Sequence, residues 1–188
     1  AVIDSAQKNL TALSSEMVTL KDILANKQAR GAYGQGRMEA IVRDGLHSRA
    51  YGFQGVLSNN TRPDCLIRLP DSALRLVIDA KFPLEAFNAL KTAKGDSDIK
   101  AAETQLRSDV LRHVKDISSK YLIAGETHES AIMFVPSESV YADLYEGFED
   151  IVQKAYRAQV LLVSPTLLML AIQIIRQKPQ YRRLPIIA

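Results

Sequence analysis

The feature that most constrains this chain is a pair of apolar runs, Asp64–Leu69 and Leu74–Lys81, separated only by Pro70-Asp71-Ser72-Ala73. A four-residue connection between two such runs is a hairpin signal. The simplest register sets Leu69 opposite Leu74, so that Arg68 faces Arg75, Leu66 faces Val77 and Asp64 faces Asp79. Directly opposed residues point to the same side of a sheet. One side then carries Cys65, Ile67 and Leu69 with Leu74, Leu76 and Ile78, an apolar surface that calls for helices over it. The other side carries Asp64 and Asp79 at one end, with Lys81 two residues on. A slip of one residue would set apolar against polar faces, which supports this register.

Two carboxylates about 5 Å apart repel each other. Such a pair persists when a cation sits between them, when one is protonated, or when water reaches both. Lys81 alone does not neutralise two charges. A hard divalent cation such as Mg2+ or Mn2+ takes a few carboxylate oxygens and keeps several waters. It lowers the pKa of a bound water and stabilises charge on a phosphate. On that reading Asp64 and Asp79 are candidate metal ligands, and Lys81 orients the water or balances charge. The plain alternative is that Pro63-Asp64 is a turn and that Asp79 and Lys81 end a solvated strand.

The rest of the chain reads as alternating elements. Ile3, Ala6, Leu10, Leu13, Met17, Leu20 and Leu24 form a heptad seam with no Gly or Pro inside it, as in a coiled coil. A helix over residues 3 to about 28 follows, either self-associating or lying on its own domain. Gly31, Gly34 and Gly36 are expected to break that helix, and a short one is expected from about Gly36 to Leu46. Tyr51–Leu57 reads as a strand. Residues Ser97–Tyr121 form an amphipathic helix with Ile99, Ala102, Leu106, Val110, Val114 and Ile117 on one face. Ala131–Val135 and Val160–Val163 read as short buried strands with helical sequence between them, over about 138–157. Ser164-Pro165 is an N-cap and N1 pair for a last helix, about 165–177. The sum is a mixed α/β core domain, 30–188, preceded by the heptad helix, 1–29.

Composition narrows the function classes. The single cysteine, Cys65, excludes an intramolecular disulfide and suits a reducing, cytoplasmic setting. Three scattered His and no CxxC exclude a zinc cluster. The longest apolar stretch, Val160–Ile175, is broken by Ser164, Pro165, Thr166 and Gln173, and is too short to span a membrane. The chain does not begin with Met, so an N-terminal membrane anchor of a longer protein would lie outside it. A net charge of +3 says little alone; the placement of basic residues matters more. Lys27, Arg30, Arg37, Arg43 and Arg49 gather around the first core helix, as phosphate-binding residues or as a solvated helix face. Tyr33 and Tyr51 either stack on bases or pack in a core. His113, at the edge of its helix's apolar face, is more often a satisfied interior histidine than a catalyst.

The segment RPDCLIRLP…LRLVIDAKFPLEAF resembles the RmuC family of DNA-recombination proteins, within the PD-(D/E)XK nuclease superfamily. GAYGQGRMEAIV is similar to the family's glycine-rich approach to its first core helix, LRHVKDISSKYL to its HIK-LS-K-Y segment, AIMFVPSE to its VMF-P-E strand and VLLVSPTLLMLAIQII to its V-L-SPTTL helix. The resemblance runs from about Arg30 to Ile175, in the family's order. It implies a restriction-endonuclease-like mixed sheet flanked by helices, with the active site on Asp64, Asp79 and Lys81. It further implies an acidic residue from the first helix, and Glu39 matches the family's Glu there. Where the family commonly has Trp-Gly-Glu, this chain has Tyr33-Gly34-Gln35, and Gln35 supplies no carboxylate.

The expected function is therefore Mg2+- or Mn2+-dependent hydrolysis of DNA phosphodiester bonds by a recombination protein, with DNA as the partner and a homo-oligomer formed through the N-terminal helix. Two other readings compete. One is a DNA-binding or DNA-protecting module that keeps the fold with little or no cleavage, which Gln35 favours. The other is an oligomeric scaffold, which requires the heptads.

Overall fold

A computed structural model describes residues 27–177. The heptad helix expected over residues 3–28 falls almost wholly outside them.

The first described helix, α1 (Lys27–Gly45), runs through Gly31, Gly34 and Gly36 without a break. The expectation that these glycines end one helix and start another is corrected. Glycine in a helix costs about 1 kcal/mol relative to alanine, and here close packing accounts for one of the three. A side chain on Gly34 would press on the Ala80 carbonyl at 3.2 Å and on Pro136. A glycine lets α1 lie directly against the end of a strand.

That strand belongs to a five-stranded sheet whose order follows the sequence. The strands are β1 (Tyr51–Phe53), β2 (Cys65–Arg68), β3 (Arg75–Asp79), β4 (Ala131–Phe134) and β5 (Val160–Val163). The first three are antiparallel and the last three parallel. The hairpin register is the expected one: Cys65 pairs with Ile78, Leu66 with Val77, Ile67 with Leu76 and Arg68 with Arg75. Asp71 in its turn has φ of 63°, a left-handed conformation that aspartate tolerates. The strand expected over Tyr51–Leu57 stops at Phe53, because Gln54 takes φ of 52° and turns the chain away.

Parallel strands need long crossovers, and helices supply them on one face. Between β3 and β4 run α2 (Leu84–Thr92) and α3 (Asp96–Tyr121). Between β4 and β5 run α4 (Glu138–Gly147) and α5 (Glu149–Arg157), over the stretch where helices were expected. Helix α6 (Pro165–Gln177) follows β5 and packs with α1 on the opposite face. Both faces are therefore covered. Leu66, Val77 and Met133 meet Leu106, Val110, Val114, Leu144 and Ile151 on one side. Cys65, Ile67, Ile78 and Phe134 meet Met38, Val42, Leu168 and Ile172 on the other.

This corrects the reading that only one side of the hairpin is apolar. Leu66 and Val77, on the aspartates' side, are buried too. Beta4 reads Ala-Ile-Met-Phe with every residue buried, as a strand covered on both faces should. On α3, Leu106, Val110, Val114 and Ile117 are buried as expected, while Ile99 is exposed, because the first turns of this long helix carry no part of the core. Among the described residues, no helix is long and apolar enough to cross a membrane.

Candidate functional site

The hairpin register carries its consequence past the strand ends. Asp64 directly precedes β2 and Asp79 ends β3, so the two carboxylates stand side by side at one end of the sheet. Both are almost fully buried, at 2 % and 3 % exposure. Lys81 reaches back between them. Its Nζ donates to Asp79 Oδ1 at 3.1 Å and to Asp64 Oδ1 at 3.3 Å, while most of its side chain stays in solvent.

A third strand completes the corner. The β1–β2 register pairs Phe53 with Cys65, which brings the next residue, Gln54, beside Asp64. Gln54 donates its backbone N–H to the Asp64 carbonyl at 3.1 Å and its side-chain amide to Asp64 Oδ1 at 2.9 Å. The buried Ala80 N–H donates to Asp64 Oδ2 at 2.8 Å. The Asp64 carboxylate thus accepts from three donors, Gln54 Nε2, the Ala80 N–H and Lys81 Nζ, which fix its orientation. Sequence reading missed Gln54; the signal that could have found it was the pairing of β1 with β2, which the overlong Tyr51–Leu57 strand obscured.

The two aspartates differ electrostatically. Burial pushes the Asp79 pKa up, the Asp64 carboxylate pushes it further, and Lys81 opposes both without cancelling them. For Lys81 the largest influence, burial, lowers the pKa, but Asp79 and Asp64 together overcome it and hold the ammonium up to about 12. Lys81 is therefore charged throughout the neutral range. It can donate hydrogen bonds and balance negative charge, but it cannot take a proton.

The donor set fits a hard cation of low protein coordination. Mg2+ is commonly held by one or two carboxylates plus waters, and one ammonium leaves this buried pair under-compensated. Among the described residues, no three of His, Cys, Asp and Glu gather into a group that could hold a metal ion. Glu39 accordingly does not join the aspartates as a third carboxylate. It accepts from Gln35 Nε2 at 3.0 Å and from Arg43 at 2.9 Å along α1. Gln35 and Arg43, one turn to either side, thus occupy the carboxylate expected to serve the site.

The basic candidates divide. Arg43 is exposed, paired with Glu39 and stacked on Phe53 with its guanidinium 4.9 Å from the ring centre. Arg37 is exposed and donates to the Tyr33 hydroxyl at 2.9 Å. Arg49 is exposed in the link between α1 and β1. Lys27 and Arg30 lie in the first turn of α1, with side chains outside the description. Tyr51 packs against Phe53 and the core beneath α1, which is the ordinary role of such a tyrosine. Cys65 is fully buried; burial first, then Glu39 and Asp64, push its thiol up to about 12.

Comparison with known proteins follows the same lines. The sequence model of the RmuC family matches residues 1–184. The chain is 28 % identical over 166 residues to a DNA recombination protein RmuC homolog of Xylella fastidiosa, covering 82 % of this chain and 36 % of that protein. It is 30 % identical over 163 residues to the homolog of Chlamydia muridarum, covering 84 % and 36 %. It is 24 % identical over 188 residues to the DNA recombination protein RmuC of Salmonella typhimurium, covering 93 % and 39 %. The chain thus spans less than two fifths of the length of these relatives. No solved structure matches it.

Proposed function

The chain belongs to the RmuC family, and from that premise we propose that it is the restriction-endonuclease-like core of a DNA-recombination protein that hydrolyses DNA phosphodiester bonds with Mg2+ or Mn2+. The observation that carries this reading is the buried pair Asp64 and Asp79, bridged by Lys81 at 3.3 and 3.1 Å. Two adjacent buried carboxylates with one ammonium are hard to explain as structure alone, since replacing such groups by apolar residues is often neutral or stabilising.

Asp64 and Asp79 would hold the metal, which when bound supplies a water of lowered pKa and charge stabilisation at the phosphate. Gln54 and the Ala80 N–H keep Asp64 from rotating, so its carboxylate is already oriented. Lys81, a permanent ammonium with three donors, holds a phosphate oxygen or the attacking water and balances charge developing in the transition state. Arg37, Arg43 and Arg49 would guide the DNA backbone through non-specific phosphate contacts. Self-association through the heptads of residues 3–28 belongs to the same proposal.

A second reading has its own observation. Gln35 stands at the position where the family commonly has Glu, and Arg43 neutralises Glu39. A module that binds or protects DNA with little cleavage would tolerate both. End-labelled linear, nicked and single-stranded DNA, incubated with and without Mg2+ or Mn2+, separates the two. The nuclease reading expects metal-dependent products that vanish in Lys81→Ala. Retarded but uncut DNA under every condition would favour the binding module.

A further inference from the structure

Beside Lys81 lies a cavity of about 630 Å3, within the roughly 300–1,000 Å3 typical of small-ligand sites. Its two long walls differ in chemistry. Phe82, Pro83 and, along α2, Ala89 make one wall mainly apolar, with Glu85 its one charged residue. Helix α3 makes the other polar, with Gln105, Arg112 and His113 spaced along one helix face.

The polar wall is ordered in advance. Asp109, between them, is little exposed; it accepts from Gln105 Nε2 at 3.0 Å and from Arg112 Nη2 at 2.6 Å. The network fixes both donors and balances the carboxylate. His113 is half-buried, and burial, then the Arg112 charge, lower its pKa. At neutral pH it presents a neutral imidazole, with one donor and one acceptor. Lys81 joins this cavity to the paired aspartates.

Resting on the phosphodiester reading above, we propose that this cavity holds one unpaired nucleotide of a DNA strand, its phosphate beside Lys81 and its base between the apolar wall and α3. The substrate is then single-stranded or frayed DNA rather than intact duplex. Size is the first reason. The volume equals a cube about 9 Å on edge, smaller than a duplex whose major groove alone is about 12 Å wide. Shape and chemistry are the second. An unstacked base has apolar faces and a hydrogen-bonding edge, which match Phe82 and Pro83 on one side and Gln105 and His113 on the other. Placing a base there requires it to leave its stack, which is least costly in a strand already unpaired. Charge is the third: the Lys81 ammonium stands at the cavity where the strand's phosphate passes, while Arg112 is already paired with Asp109.

The test is binding, read by fluorescence anisotropy without divalent cation so that no strand is cut. The probes are a single-stranded oligonucleotide, its blunt duplex, and the same strand carrying an abasic run. The single strand should bind roughly tenfold tighter than the duplex, and the abasic strand roughly tenfold weaker than the intact one, as the loss of a base-stacking contact implies. Ala89 is an exposed position on the apolar wall, so Ala89→Phe fills the cavity from its surface. That variant should lose the preference for single strands while melting as the parent does. Gln105→Ala leaves the cavity open and should weaken single-strand binding severalfold, which preserves the test if Ala89→Phe does not fold. Equal affinity of the parent for single strand and duplex, or an intact preference in folded Ala89→Phe and in Gln105→Ala, overturns the proposal. A protein that prefers single strands but never cuts them would defeat the nuclease reading alone; one that cuts but shows no preference would defeat this proposal alone.

Discussion

Substituting the two aspartates one at a time should give opposite results for folding. Asp64 accepts from the Ala80 N–H at 2.8 Å in a buried contact and from the Gln54 amide at 2.9 Å in a partly buried one. Asp64→Ala strands the Ala80 donor, and an unsatisfied buried N–H costs about 1–3 kcal/mol. Release of Asp79 from its neighbour's charge and loss of the Asp64–Lys81 attraction are of similar size and offset each other, so a net loss of about 2 kcal/mol remains. For a domain of this size that is a fall in Tm of roughly 4–8 °C. Asp79→Asn removes a charge instead. Unit charges 5 Å apart interact by about 3 kcal/mol at an effective dielectric of 20, and the repulsion from Asp64 and the attraction to Lys81 are both of that order. Burial tips the balance against the ionised form, which is why the Asp79 pKa is raised. Asp79→Asn should therefore melt at or above the parent's temperature. The assay is thermal unfolding in chelator, followed by circular dichroism. If Asp64→Ala melts no lower than Asp79→Asn, the division into one orienting and one strained carboxylate is wrong.

Other outcomes follow from the same contacts. Because the folded pKa of Asp79 is raised, its contribution to stability is full below the ordinary aspartate range and lost as pH rises through the raised value; the difference in melting temperature between Asp79→Asn and parent should therefore grow with pH over that window, and a constant difference would refute the assignment. Gly45→Ala places a Cβ on Ile172 Cγ2 where α1 crosses α6 and should cost about 1–3 kcal/mol, less in an Ile172→Ala background; additive losses in the double variant would mean the two do not touch. Cys65, buried with its thiol held up to about 12, should resist iodoacetamide at pH 8 until the protein is unfolded, as mass spectrometry would report.

The hairpin was legible because its signal is local. A short turn fixes one register, and one register sets Asp64 beside Asp79 without reference to the rest of the chain. The last helix, Pro165–Gln177, was equally legible from its Ser-Pro start. What stayed hidden depends on contacts between distant elements. The glycines of α1 looked like breaks because the Ala80 carbonyl and Pro136, against which Gly34 packs, lie far along the chain. Gln54 looked like part of a strand because only its pairing with Asp64 turns it into a support for the site. Helix α2 went unnoticed: it is nine residues long and has no side-chain N-cap. The fate of Glu39 was also out of reach, since a carboxylate four residues from both Gln35 and Arg43 reads equally well as a ligand or as one member of a helix-face pair.

The central claim is that Asp64 and Asp79 together hold a divalent cation, and a Mn2+ titration read by thermal melting tests it most directly. A ligand that binds only the folded chain raises its melting temperature by mass action. The parent should show a concentration-dependent rise at millimolar Mn2+ or below. Asp79→Asn, folded but short of one charge, should show none. Lys81→Ala should shift as much as the parent or more, because the cation competing for both carboxylates has been removed. A parent that shows no shift, or an Asp79→Asn protein that shifts equally, would contradict the account.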